Sequence, residues 1–168
     1  MTAAVVSAGI VVFRRNSEQN EFLLLQANYG NRHWAPPKGC IQRFSSLYCS
    51  KYDSVLFVGK VKVGESVQEA ALRETWEESG FAASQLRIVS DFRHDITYRV
   101  RGYTKKVTYF LAELVDPEAE VKLSRREHSA YKWVTLSAVK EVANYKSIQT
   151  LLREAEACLT SGSTVASK

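Results

Sequence analysis

The chain has 168 residues and a formal net charge of +5. That is long enough for one domain with a proper core and too short for two of ordinary size. Its apolar and charged fractions are those of a globular protein, with no repeat or low-complexity block. The mild positive excess suits a polyanionic ligand held by lysines. No cluster of basic and aromatic residues accompanies it, so nucleic-acid binding is not expected. Cys40, Cys49 and Cys158 are odd in number and lack a framework spacing, which reads as reduced thiols in a cytosolic protein.

In chain order, Ala4–Arg15 has the β-branched density of a strand buried on both faces. No basic residue precedes this apolar run, and it is too short to span a bilayer, so it reads as core rather than as a signal or anchor. Asn16–Asn20 is a polar turn and Glu21–Ala27 a second strand. After a loop at Tyr29–Arg32 comes His33-Trp34-Ala35-Pro36-Pro37-Lys38-Gly39. Its prolines impose extended backbone, and Gly39 permits a turn. Cys40–Val58 is too apolar for an ordinary loop and has no clean period until Ser54–Val63, a possible strand. A helix is expected over Ser66–Ser79, with Ser66 as N-cap and Gly80 at the left-handed C-terminal position.

Leu86–Phe92, Ile96–Arg101 and Lys105–Leu114 are strand candidates, the last two forming a hairpin about Gly102. Asp116–Arg126 is charged and loop-like, and Tyr131–Val134 is a short strand. Ser137–Asn144 and Ser147–Cys158 are helical. Ile148, Leu151, Leu152, Ala155 and Leu159 form the apolar stripe of the second. Residues 160–168 read as a disordered tail. The whole is an α/β protein: one domain over 1–159, a mixed β-sheet sandwiched between helices.

The chemistry concentrates in the helix. Glu74, Glu77 and Glu78 stand at i, i+3 and i+4, on one face, in line with the apolar Val67, Ala70 and Ala71. Exposed like charges at this spacing cost a helix ~0.2–0.5 kcal/mol per pair. At ~6 Å in a partly buried site of effective dielectric ~20 the repulsion is ~2–3 kcal/mol. Arg73 can offset one of them; a divalent oxygen-loving cation answers the rest. A solvated acidic face is the bland alternative.

The surroundings favour the cation. Gly59, Glu65, Arg73, Glu74, Glu77, Glu78, Gly80 and Phe81 stand at the spacings of the Nudix signature, with Thr75 where that pattern prefers an aliphatic residue. Beyond this box, EFLLLQA, HWAPPKG, ALRETWEESG, TKKVTYFLAEL and EHSAYKW resemble the matching stretches of the asymmetrical diadenosine tetraphosphate hydrolases, a branch of the Nudix hydrolases. The resemblance implies the Nudix fold and Mg2+-dependent hydrolysis (Mn2+ as an alternative) of the dinucleoside polyphosphate to ATP and AMP. It implies metal ligands at Glu74, Glu77, Glu78 and Glu127, with Glu74 and Glu78 catalytic and Glu74 the choice for proton acceptor. It implies phosphate contacts from Lys38 and Lys105, adenine stacking on Tyr98, and Tyr109 and His33 near that pocket. Gly59, Glu65, Arg73 and Gly80 are box residues with structural roles, Glu65 and Arg73 as an ion pair. The expected partner is the small-molecule substrate, for a monomer with no membrane partner, in the cytoplasm or also the nucleus.

Two glycines compete for the start of the box. Gly39 has the PPKG context, whereas Gly59 has the correct distance to Glu65. Removing 40–59, twenty residues, restores the family pattern without a gap, so this segment reads as an insertion. Lengthening a loop from about six to about 26 residues adds only ~1.2 kcal/mol of closure entropy. Its apolar content beside Lys38 is the larger concern, and the expected effect is weaker substrate affinity with the metal site intact. Another Nudix substrate, such as a capped RNA end or a diphosphoinositol, and a nucleotide-binding variant with reduced turnover are the alternatives.

Overall fold

A computed structural model describes residues 4–40, 64–100 and 102–162 of the chain. Its seven strands are β1 (Ala4–Arg15), β2 (Asn20–Ala27), β3 (Trp34–Ala35), β4 (Lys38–Cys40), β5 (Leu86–Val100), β6 (Tyr103–Leu114) and β7 (His128–Thr135). The helices are α1 (Val67–Ser79), α2 (Val139–Val142) and α3 (Lys146–Gly162). One mixed sheet runs in the order β3-β2-β1-β6-β5, with β4 also on β1 and β7 also on β2. The β1–β6 pair is parallel; the other pairs are antiparallel.

Strand alternation divides the core into two layers. On β1, Ala8, Ile10 and Val12 join Ala70 and Ala71 of α1 in one cluster. Val11 and Phe13 face the other way, into the cluster built with Ile148, Leu151, Leu152, Ala155 and Leu159 of α3. On β2, Leu23 and Leu25 take the first side, Phe22 and Leu24 the second. A side-chain period of two therefore makes β1 apolar on both faces, as expected for a central strand under helices on either side.

α1 begins and ends as its sequence predicts. Ser66 Oγ accepts the Glu69 amide N–H at 3.2 Å, and Glu69 Oε2 accepts the Ser66 N–H at 2.8 Å. This reciprocal pair satisfies two donors that a helix start leaves open. Gly80 closes the helix at φ 81°, its N–H donating to Trp76 O at 2.8 Å. Thr75 is fully buried and disposes of its hydroxyl by donating to Ala71 O at 2.8 Å. That is why a polar residue is tolerated at an aliphatic position.

Several boundaries differ from the sequence expectation. Gly39 lies in strand β4 rather than in a turn, because β4 pairs with Ser7–Gly9 of β1. The two strands expected at Leu86–Phe92 and Ile96–Arg101 are one strand, β5. The pairing with β6 slips between Val89 and Arg93, and that irregularity breaks the alternation without ending the strand. Gly102, at φ 84°, turns the hairpin as expected. β7 starts at His128, three residues before the expected Tyr131. The helix expected at Ser137–Asn144 is a 3-10 turn at Leu136–Ala138 followed by the short α2. α3 continues to Gly162, so Thr160 and Ser161 are helical, their hydroxyls donating to Glu156 O and Ala157 O. Residues 41–63, which hold most of the insertion, the Ser54–Val63 strand candidate and Gly59, lie outside the described residues, as do 163–168 of the tail.

Candidate functional site

Three pieces of chain meet at the C-terminal half of α1: strand β4, the helix itself, and the segment leading into β7. The last is fastened to the helix end. Lys122 N–H donates to Ser79 O at 2.8 Å and Ser124 N–H to Glu78 O at 3.0 Å, supplying partners for carbonyls that a helix end leaves open. A methyl group on Gly80 would stand 2.6 Å from Lys122 Cβ, so this docking needs glycine there for space as well as for φ. Asn28 holds the segment from the other side, its Nδ2 donating to Arg125 O and Arg126 O and its N–H to Glu127 O. Glu127 and His128 are thereby delivered to Glu78.

The carboxylates of α1 divide into two groups. Arg73 donates through Nε to Glu65 Oε1 at 2.7 Å, through Nη2 to Glu65 Oε2 at 3.1 Å, and through Nη1 to Glu74 Oε1 at 2.8 Å and Glu77 Oε1 at 3.3 Å. Burial works against the guanidinium charge, but the hydrogen bonds and charges of Glu65 and Glu74 outweigh it and raise its pKa. The expected Glu65–Arg73 pair is present and is wider than expected, taking in Glu74 and the exposed Glu77. Glu74, 3 % exposed, is also pressed against the Cα of Gly39, where any side chain would collide with its carboxylate. Gly39 is thus seated against the helix, and Gly59 lies outside the described residues.

Glu78, equally buried, has a different neighbourhood. Its Oε2 accepts the backbone N–H of Lys38 at 2.9 Å and lies 3.3 Å from His128 Nε2. Among the described residues, Glu78, Glu127 and His128 each offer one ligand atom, all within 4.8 Å of one another. His128 is 6 % exposed, and neither ring nitrogen makes a hydrogen bond. A buried polar group in that condition marks a polar site not completed by protein atoms alone. Two carboxylates and one imidazole are a donor set that a divalent cation fits. Of the four predicted ligands, Glu78 and Glu127 converge with His128, while Glu74 and Glu77 both meet Arg73.

Beyond this group lies a basic and aromatic rim. His33 rests edge-on between Tyr29 and Tyr145, with ring centroids 6.0 and 5.7 Å away. Its Nδ1 is 3.3 Å from Asn31 Oδ1, and Asn31 Nδ2 donates to the Tyr145 hydroxyl. Burial, followed by the charges of Lys38, His128 and Lys105, pushes the His33 pKa down to about 4, so the ring is neutral at physiological pH. Tyr98 stands directly across the β5–β6 ladder from Lys105. It is 37 % exposed, and burial, countered by Lys38 and joined by Tyr29 and Tyr145, raises its pKa. Tyr109 lies behind this rim. It is fully buried behind Gly9, and burial, followed by the charges of Tyr98, Glu78 and Tyr29, raises the pKa of its hydroxyl.

Sequence reasoning missed His128, Tyr29 and Tyr145. The one signal for His128 was its place beside Glu127 in the EHSAYKW stretch. Tyr29 and Tyr145 are separated by more than a hundred residues and share no motif.

The fold and the site together define a class. The family model for the NUDIX domain matches residues 4–154, and the chain belongs to the Nudix family of hydrolases. Within that family it is similar to the asymmetrical bis(5′-nucleosyl)-tetraphosphatase of Mus musculus, 38 % identical in an alignment 164 positions long that covers 94 % of this chain and 97 % of the relative. The protein of the same name from Caenorhabditis elegans is 37 % identical over 155 residues, 92 % and 96 % of the two chains. A crystal structure of a C. elegans Ap4A hydrolase binary complex superposes with a TM-score of 0.77 at 36 % identity, over 94 % of this chain and 98 % of that one. Among the described residues no helix is long and apolar enough to cross a membrane.

Proposed function

We propose that this chain hydrolyses diadenosine tetraphosphate and close dinucleoside polyphosphates asymmetrically, to ATP and AMP, with Mg2+ as its ordinary cation and Mn2+ as a substitute. The observation that carries the reading is the juxtaposition on one face of a carboxylate–imidazole cluster and a rim of lysines and tyrosines, in a chain similar over nearly its whole length to asymmetrical tetraphosphatases.

Glu74, Glu77, Glu78 and Glu127 would hold the cation, which when bound would polarise phosphate oxygens and activate a water. The chain's own residues supply the rest. Lys38 and Lys105 neutralise the polyphosphate as compact, mobile ammonium charges. Tyr98 offers a face for an adenine, with Tyr29 and Tyr145 across from it. His33, neutral between them, donates or accepts a hydrogen bond without adding charge to the lysines. Glu74 is the proposed proton acceptor, held in one orientation by Arg73 Nη1 and by the closeness of Gly39. Arg73 and Glu65 position that carboxylate, and Tyr109 backs the pocket wall.

The test is product analysis. Purified protein with diadenosine tetraphosphate and Mg2+ should release ATP and AMP in equal amounts. Two ADP would refute the asymmetric cut. Turnover of capped RNA or diphosphoinositols with the tetraphosphate untouched would refute the substrate.

A further inference from the structure

His128 is the buried polar side chain that the activity above leaves without an assigned chemical role of its own. Its backbone is fixed twice over, the N–H donating to Ser124 O at 3.0 Å and the residue opening β7 opposite Ala27 of β2. The ring is therefore aimed by the start of a strand rather than by a mobile loop. It points at Glu78, yet neither nitrogen makes a hydrogen bond. The contact with Glu78 Oε2 misses hydrogen-bond geometry, and burying ring nitrogens without such a bond is costly. The 3.3 Å between Nε2 and Glu78 Oε2 has another meaning. Two donors bound to one cation at ~2.0–2.2 Å stand ~2.8–3.6 Å apart for ligand angles between a right angle and tetrahedral.

We infer that His128 is an inner-sphere nitrogen ligand of the cation held by Glu78 and Glu127, and that it tilts this site toward Mn2+ and other borderline first-row cations relative to Mg2+. Mg2+ favours oxygen donors and keeps several waters, whereas imidazole gains on Mn2+ and the metals beyond it in the affinity series. An all-carboxylate site would lack that bias. The inference rests on the reading of this cluster as a metal site but not on the identity of the substrate.

The chain has three histidines, so the double variant His33→Gln, His94→Gln leaves His128 as its sole imidazole. Pulsed electron paramagnetic resonance of that variant loaded with Mn2+ alone should show nitrogen coupling to the metal, which changes when the protein is grown with 15N-imidazole histidine. His128→Gln should lose the coupling. Its Mn2+ affinity should fall by at least ~10-fold, with a smaller fall for Mg2+, because the amide replaces nitrogen with oxygen. Should His128→Gln fail to fold, the isotope experiment on the double variant decides alone. Bound Mn2+ without nitrogen coupling would overturn the inference and leave the metal site standing. No Mn2+ uptake at all would overturn both.

Discussion

Glu74 and Glu78 are one turn apart on the same helix, equally buried, and differently surrounded. Glu74 meets a guanidinium that also grips Glu65 and Glu77, so its charge is compensated within the protein. Around Glu78 the fold gathers a backbone amide, a second carboxylate and an imidazole. Adding a carboxylate to a buried carboxylate makes matters worse unless a cation joins them. On the proposed reading, the first carboxylate is also tied into an electrostatic anchor for α1, and the second belongs to a cluster that favours binding over stability.

Paired substitutions break that contrast if it is wrong. Arg73→Ala strands Glu65 and Glu74, whose side chains are 6 % and 4 % exposed, and should cost ~3–5 kcal/mol of folding stability in urea or thermal denaturation. Glu78→Gln keeps the shape and removes one charge from a like-charged cluster. It should leave stability within ~1 kcal/mol of the parent while Mg2+-dependent turnover falls by at least ~100-fold. Equal stability losses in both variants would mean that Glu78 is structural too. An Arg73→Ala protein as stable as the parent would mean that the guanidinium network holds nothing together.

The rim offers a smaller effect of a third kind. Tyr98→Ala removes an aromatic face and should reduce kcat/KM for the dinucleotide by ~5–150-fold, the equivalent of ~1–3 kcal/mol of stacking, with Tyr98→Phe near the parent. Neither variant should alter metal binding. If Tyr98→Ala weakens Mg2+ uptake as much as nucleotide binding, rim and cluster are one energetic unit rather than two.

Local signals made α1 and β1 legible: a capping box, a closing glycine and apolar runs declare themselves within a few residues. The Glu65–Arg73 pair was equally readable, because helix spacing and one loop bring it together. What was hidden depends on distant chain. Spacing pointed to Gly59, which lies outside the described residues, and the fit of Gly39 against Glu74 exists only once β4 pairs with β1. His128 has no motif to mark it and becomes visible only when the segment docked on Ser79 and Glu78 carries it to the site. The motif around Tyr109 was readable, but its burial follows from the parity of β6, which local sequence does not give. The break expected near Phe92 was a slip in pairing, which local alternation reads as an end.

His33 gives the finest distinction between rim and cluster. Its pKa is about 4 in the folded protein, against 6.5 for a free histidine, with burial the first cause and Lys38, His128 and Lys105 following. Between those values the unfolded chain takes up a proton that the native ring refuses. Its contribution is therefore complete above pH ~6.5 and is lost progressively as pH falls toward 4. Stability measured from pH 7 to 4 should decline less steeply in His33→Gln than in the parent. The imidazole resonances of His33 should titrate with a midpoint near 4 and remain neutral throughout the range in which the enzyme works. A midpoint near 6.5, or identical slopes in parent and variant, would show the ring to be solvated and the two lysines turned away from it. The lysines would then no longer be gathered where a polyphosphate could meet them together.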